Sequence, residues 1–209
     1  MERLILTILI LTGLVSFILP VRKRLLIVQK GKGKFNVDDL PRRIQRFVSE
    51  VIFQRTVINQ RPLPGLMHAF VFWGFVAFII MTLNHFTGGY GWEFLGHGAV
   101  YRIISTIVAV FAVMVLIGII YLAIRRFVFR PESLGEHFSY TSGIVALFII
   151  ILMVTYLLGL YTFQKGTTEA AVNWWVHAFF ILAFMALIPQ SKHLHLILSP
   201  FTTFLKDFS

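Results

Sequence analysis

Five long apolar runs, parted by polar and mostly basic stretches, set the pattern of this chain. The first, about residues 4–19, ends at Pro20 directly before Arg22-Lys23-Arg24. The second opens on Pro62-Leu63-Pro64-Gly65 and continues to about His85 without a formal charge. The third covers about 103–124 and stops at Arg125-Arg126, the fourth about 138–161, and the fifth about 171–190. Each is near the ~20 residues that an α-helix needs to cross the bilayer's hydrocarbon core. The fold class predicted is therefore all-α integral membrane, a bundle of five transmembrane helices. Between the first two runs, Arg43 to Ile58 alternates basic residues with Ile44, Phe47, Val48, Val51 and Ile52. That pattern predicts an amphipathic helix, either lying on the membrane surface or covering a neighbour. Lys30-Gly-Lys-Gly-Lys34 predicts a turn.

Charge adds an orientation. Residues 21–61 carry eleven Lys and Arg, the loop after the third run carries Arg125, Arg126 and Arg130, and the C-terminal end carries Lys192 and Lys206. With five spans these sixteen fall on one side, against Arg3, Arg102 and Lys165 on the other. The positive-inside rule then places the N-terminus outside and the C-terminus in the cytoplasm. The first run has its charges after the apolar stretch, the reverse of a cleaved signal peptide, so it is expected to stay as an anchor. The net charge of +10 is no nucleic-acid signal, because the basic residues crowd between the spans. Composition agrees: the chain is 57% hydrophobic and 13% charged, with a mean hydropathy of +0.81. It has no cysteine, so no thiolate-held iron–sulfur cluster and no thioether-attached haem can reside on it. The carboxylates lie outside the runs, which argues against a buried acid-pair active site.

Histidines carry the candidate chemistry, since ionisable groups at membrane depth are costly and mark function by default. His68 and His85 sit near the two ends of the second span, and His177 and His195 near the two ends of the fifth and its continuation. If one helix carries His177 and His195, their separation of eighteen residues is five whole turns and roughly 27 Å. Two antiparallel spans then bring His68 to His195 at the inner end and His85 to His177 at the outer end. Two haems held between helices by axial imidazoles would require this layout. Gly65, Ala69, Gly74 and Ala178 could make room for flat macrocycles. His85 fits least well, because seventeen residues leave it ~100° off the His68 face of a straight helix. His193 is ~160° out of phase with His177 and is expected to pack or to neighbour a haem propionate. His97 and His137 lie in or beside loops, where interfacial roles are commoner than ligation.

At these residues the chain resembles the gamma-subunit family of respiratory nitrate reductase, a five-span dihaem cytochrome b. It resembles more nearly the membrane domain of heterodisulfide-reductase-like and electron-transfer-flavoprotein:quinone oxidoreductases. Pro189, Ser191, Lys192, His195 and Pro200 match the motif at the inner end of span five. Gly65, Leu66, His68, Ala69, Phe72, Trp73, Gly74 and Phe75 match that of span two. The resemblance covers about residues 55–205. It implies haem b ligation by His68, His177 and His195. It departs at the fourth ligand: the nitrate-reductase pattern has a histidine ten residues after the first, where this chain has Phe78, so His85 is the geometric substitute. Many relatives continue into cysteine-rich iron–sulfur domains. This chain stops at Ser209 without cysteine and so resembles the free-standing cytochrome subunits, which dock a separate iron–sulfur protein on the inner face.

The expected organisation is an anchor helix over residues 1–20, a basic cytoplasmic segment with an amphipathic helix over 21–61, and a four-helix haem-binding membrane domain over 62–209. The expected function is a b-type cytochrome of the prokaryotic cytoplasmic membrane, the electron-transfer subunit of a quinone-linked oxidoreductase. It would hold two haems, one at minimum, and pass electrons between a heterodisulfide-reductase-like iron–sulfur partner and membrane quinone or menaquinone. The basic segment is a candidate docking surface for that partner or for anionic lipid. An outer quinone site is expected around Tyr90, Trp92, Glu93 and His97, with Glu93 or His97 relaying protons; an inner site near Arg61, His137 and His193 stays open. Two other readings compete. A histidine-dependent transporter or proton pathway predicts no reducible chromophore, and a non-redox membrane anchor predicts that His68 and His195 tolerate Ala.

Overall fold

The computed structural model describes residues 1–29, 38–131 and 140–206. The turn expected at Lys30–Lys34, the start of the fourth run and His137 lie outside these residues. The described residues contain no strand. Helix α1 spans Glu2–Gln29 and α2 spans Leu40–Phe47, continuing as a π-helical turn over Val48–Ile52; α3 is Arg55–Gln60. The long helices α4 (Pro62–Gly89), α5 (Ala99–Ile124), α6 (Tyr140–Tyr161) and α7 (Thr168–Leu187) follow, and α8 (His195–Leu205) closes the chain. Five of these, α1 and α4 to α7, are long and apolar enough to cross a membrane.

Successive helices are neighbours: α4 packs on α5, α5 on α6, α6 on α7, and α1 on α7. The sequence periodicity of α5 shows why. Its buried positions Ser105, Val108, Ala112, Val115 and Ile119 recur every three or four residues, which puts them on one helical face. Small residues on that face let backbones approach closely, the usual device where lipid supplies no hydrophobic drive between helices. The opposite face, Ile103, Ile107, Val110, Ile117 and Ile120, is equally apolar but exposed. In water such a stripe would be a liability, whereas hydrocarbon is its natural solvent. The main core joins Ala112, Val115 and Ile119 of α5 to Val145, Ile149, Leu152 and Met153 of α6, flanked by Phe78, Phe180 and Phe184.

Three local expectations are corrected. First, α1 does not stop at Leu19 but runs through Pro20 to Gln29, past Arg22-Lys23-Arg24. Apolar Leu25, Leu26 and Ile27 resume the pattern beyond the charges, and membrane helices tolerate an interior proline. Second, the helix over Arg43–Ile58 is broken. Gln54 takes a left-handed φ of 53°, and its side chain caps the turn by donating to Val51 O at 2.7 Å. The pieces fold back on the bundle. Trp73 of α4 donates its indole N–H to Ile52 O at 2.7 Å, and Phe47 of α2 meets Phe204 of α8 edge-on at 6.4 Å. Third, α7 and α8 are not one helix. Proline lacks the amide hydrogen and its ring collides with the carbonyl four residues back, so α-helix ends at Leu187 and Pro189 sits in a short 3-10 turn. Ser191 is extended, with φ −122° and ψ 174°. Its Oγ accepts from His193 N at 3.2 Å, and a second 3-10 turn, Lys192–Leu194, leads into α8. His177 and His195 therefore do not share a helix.

Candidate functional site

Helix α4 carries His68 near its first turns and His85 near its last, a rise of roughly 26 Å at ~1.5 Å per residue. A histidine from the C-terminal part of the chain meets each of them. The His68 and His195 rings are 6.1 Å apart between centroids, with planes inclined by 30°. His85 and His177 are 5.0 Å apart at 66°. Both pairings expected from the sequence are thus present, on other grounds than those expected. His195 reaches His68 because α8 starts anew after the break at Pro189 and Ser191, so the five-turn phase relation to His177 has no part in it. The same break removes the difficulty with His85. Its partner His177 and the partner of His68 stand on separate helices, so the two faces of α4 need not coincide.

Do these residues fit haem? An iron held by one nitrogen from each of two imidazoles, at ~2.0 Å, leaves ring centroids ~6.2 Å apart. The His68–His195 separation of 6.1 Å agrees. At 5.0 Å the His85–His177 pair would have to part by about 1 Å. The donor set also suits a macrocycle that brings four nitrogens of its own: among the described residues no three His, Cys, Asp or Glu gather as a metal cage, and two axial imidazoles are what a b-type haem takes from the protein. Two buried polar atoms point the same way. His68 Nδ1 and His85 Nε2 are shielded from solvent without a hydrogen-bond partner, a cost of about 1–3 kcal/mol each unless something is bound there. His195 is exposed and His68 half-buried, so this pair is less enclosed than His85 and His177.

The surroundings correct the expected room for a macrocycle. A side chain at Gly65 would collide with the backbone of Val57 and Ile58, and one at Gly74 with the Val115 side chain. These glycines seat α3 and α5 against α4 and make no space between α4 and α7. Phe78, which stands where the nitrate-reductase pattern has histidine, packs edge-on against Tyr156 at 4.8 Å in the core. His193 bonds to Ser191 Oγ at 3.1 Å and lies 6.2 Å from the His195 ring, a neighbour of that pair.

Several residues that sequence reasoning passed over complete the site. Trp174 lies parallel to the His85 ring at 4.6 Å and 15° and covers its face. His177 Nδ1 meets Thr155 Oγ1 of α6 at 2.7 Å, both groups buried. Asn84, buried beside His85, accepts from Leu95 N at 3.0 Å through Oδ1 and so anchors the loop after α4. In that loop His97 Nδ1 is 3.1 Å from Glu93 Oε2, and Lys165 Nζ, from the α6–α7 connection, is 3.4 Å from Glu93 Oε1 and 3.3 Å from His97. The expected pair Glu93 and His97 is therefore a trio. Tyr90 is bound instead to Thr7 of α1 at 2.8 Å, and Trp92 is exposed. The one available signal for Thr155 and Asn84 was polarity inside an otherwise apolar run.

At the α4 N-terminal end, Arg43 is 2% exposed and donates to three main-chain oxygens: Asp38 at 2.8 Å, Phe204 at 3.0 Å and Lys206 at 3.2 Å. The last two end α8, where uncapped carbonyls favour a cation. Arg43 thereby ties α2 to the helix that carries His195.

Comparison with known proteins adds two relatives. The chain is 26% identical over 216 aligned residues to the "Probable iron-sulfur-binding oxidoreductase FadF" of Bacillus subtilis, an alignment covering 90% of this chain and 30% of the relative. It is 27% identical over 215 residues to the "EtfAB:quinone oxidoreductase" of Syntrophomonas wolfei, covering 85% and 30%. The chain thus spans about a third of the length of the curated relatives it matches. No family model and no solved structure matches it. What the chain is similar to, then, is one part of two larger bacterial oxidoreductases, one named for iron–sulfur binding and the other for quinone.

Proposed function

We propose that this chain is the b-type cytochrome part of a quinone-linked oxidoreductase in a bacterial cytoplasmic membrane. In it, His68 and His195 hold one haem b, and His85 and His177 a second. The observation that carries the reading is the 6.1 Å separation of His68 and His195 together with a second histidine pair at the far end of the same helix. The relatives' names add the two ends of the electron path, an iron–sulfur partner and quinone. Haem, when bound, supplies a one-electron carrier whose potential follows its axial ligands, burial and nearby hydrogen bonds.

The chain's own residues bind, orient and shield. Trp174 and Thr155 fix the two rings of the His85 pair, and Arg43 anchors the helix that presents His195. Orientation by charge puts the exposed Arg22, Lys23 and Arg24, with the basic α2 and α3, on the cytoplasmic side as the docking surface for the iron–sulfur partner. The Glu93–His97–Lys165 trio stands on the outer side. Quinone chemistry couples electrons to protons, and an imidazole between a carboxylate and an ammonium group can pass a proton from a quinol hydroxyl to water.

A dithionite-reduced minus oxidised spectrum of the purified chain tests the reading. It should show a b-type haem signal, and His68→Ala or His177→Ala should each remove about half of it, one haem site of two. A wild-type chain from haem-replete membranes with no reducible chromophore would refute the cytochrome and favour a transporter.

A further inference from the structure

Helix α6 contributes no histidine, yet it touches the most buried of those described. Thr155 lies mid-helix within an apolar stretch and is 9% exposed; His177 is 7% exposed. Thr155 Oγ1 is 2.7 Å from Ile151 O, one turn back, and 2.7 Å from His177 Nδ1. A threonine hydroxyl has one hydrogen, and its usual place in a helix is on the carbonyl four residues earlier. With that hydrogen on Ile151 O, the hydroxyl can only accept from the imidazole. Nδ1 must then carry the ring proton, which leaves Nε2 with its lone pair. A second bond holds the same two helices in register. Asn173, one turn before His177 on α7, donates through Nδ2 to Thr155 O at 2.9 Å. Gly159, one turn after Thr155 on α6, makes the room, because a side chain there would stand 2.9 Å from Asn173 Nδ2. So α7 is pinned to a single residue of α6 at two points, a main-chain and a side-chain oxygen.

We infer that Thr155 is a positioning residue for the His85–His177 site: it sets the tautomer and aim of His177, so that Nε2 is the nitrogen offered to iron. This rests on the haem reading above. Partners of this kind, which accept the ligand's other N–H, raise the basicity of an imidazole and hold its ring in place. Greater basicity favours the oxidised iron, so Thr155 should hold the potential of this site down.

The test uses the purified full chain with Thr155→Val, which keeps the shape and removes the hydroxyl, and Thr155→Ser, which keeps the hydroxyl. Haem per chain, a redox titration and 15N spectra of histidine-labelled protein in its diamagnetic reduced state are read, with His177 assigned by its loss in His177→Ala. Wild type should show His177 protonated at Nδ1. Thr155→Val should weaken haem retention at this site by roughly tenfold or more, raise the midpoint of that component, and leave the other component unmoved. Thr155→Ser should restore both. A Thr155→Val chain with the wild-type midpoint and haem content would overturn the inference while leaving the cytochrome intact. So would a Thr155→Ser chain that behaves like the valine variant, since that would make Thr155 a filler of space. A wild-type chain without haem would instead overturn the reading beneath it, and the 15N tautomer of His177 would then report on the hydrogen bond alone.

Discussion

The seam between α4 and α5 can be loosened by one methyl group, and the effect should reach the His68 site. At Gly118 an added Cβ would stand 2.6 Å from Met67 O, the carbonyl directly before His68. The closest comfortable C···O approach is ~3.3 Å, so α4 must withdraw by about 0.7 Å. A backbone carbonyl cannot rotate away as a side-chain tip can. Two terms oppose each other in Gly118→Ala. Overpacking costs about 1–3 kcal/mol, whereas replacing glycine within a helix returns at most about 1 kcal/mol. The clash wins, and a net loss of about 1 kcal/mol is expected, a fivefold change in the folded ratio. Gly143→Ala is the matched control. Its nearest neighbour is the ring tip of Phe127 at 3.3 Å, which can give, so it should be neutral or gain up to about 1 kcal/mol. Denaturation in mixed micelles, followed through tryptophan emission, measures the gap between the variants, about 1–2 kcal/mol by these figures. Haem quantitation should show the loss at the His68–His195 site first. Equal stability of the two variants, or loss confined to the His85 site, would refute the claim that this seam positions His68.

Two further outcomes are expected. Arg43→Ala removes the donor to Asp38 O and Phe204 O, while Lys206 O keeps its 2.7 Å bond from Arg46; at about 1 kcal/mol for each hydrogen bond lost, α8 should become the first site of limited proteolysis, and haem at the proposed His68–His195 site should be lost before the other. Intact α8 after digestion would show that Phe47 and its apolar neighbours suffice. Glu93→Gln removes the carboxylate between His97 and Lys165; quinol turnover should fall about tenfold or more with the haem spectrum unchanged, and undiminished turnover would remove the trio from proton transfer.

The five spans were legible because a long apolar run has one solution in a bilayer, and hydropathy reads it without knowing any neighbour. Their ends were less so. Pro20 reads as a stop on propensity, yet α1 passes through it; Pro189 reads as part of a continuous span, yet the helix ends there. The same residue type acts differently because Ser191 offers the chain a capped alternative path, and nothing after Pro20 does. The histidine pairs were found by depth, which a count of residues along each span supplies. Phase was the weaker guide: it selected His195 through a helix that does not exist and marked His85 down for an offset that does not keep it from meeting His177. Gly65 and Gly74 were assigned to the wrong neighbours, because a small residue announces a close approach without saying of what. The role of Thr155, beyond its polarity in an apolar run, was hidden for a simpler reason. Its role depends on α6 and α7 lying in one register, and that is a property of the pair of helices rather than of either sequence.

The break at Pro189 and Ser191 also divides the chain mechanically. Helix α4 is a single rod that fixes the spacing of its two histidines, while their partners belong to separate bodies, one gripped by α6 inside the bundle and the other tethered by Arg43 to the surface segment α2. The break is itself packed, with Ile188, Pro189 and Leu194 buried around Ser191. Substitutions in α2 are therefore expected to act first on His195, and substitutions in α6 first on His177, so the two ends can be tuned separately.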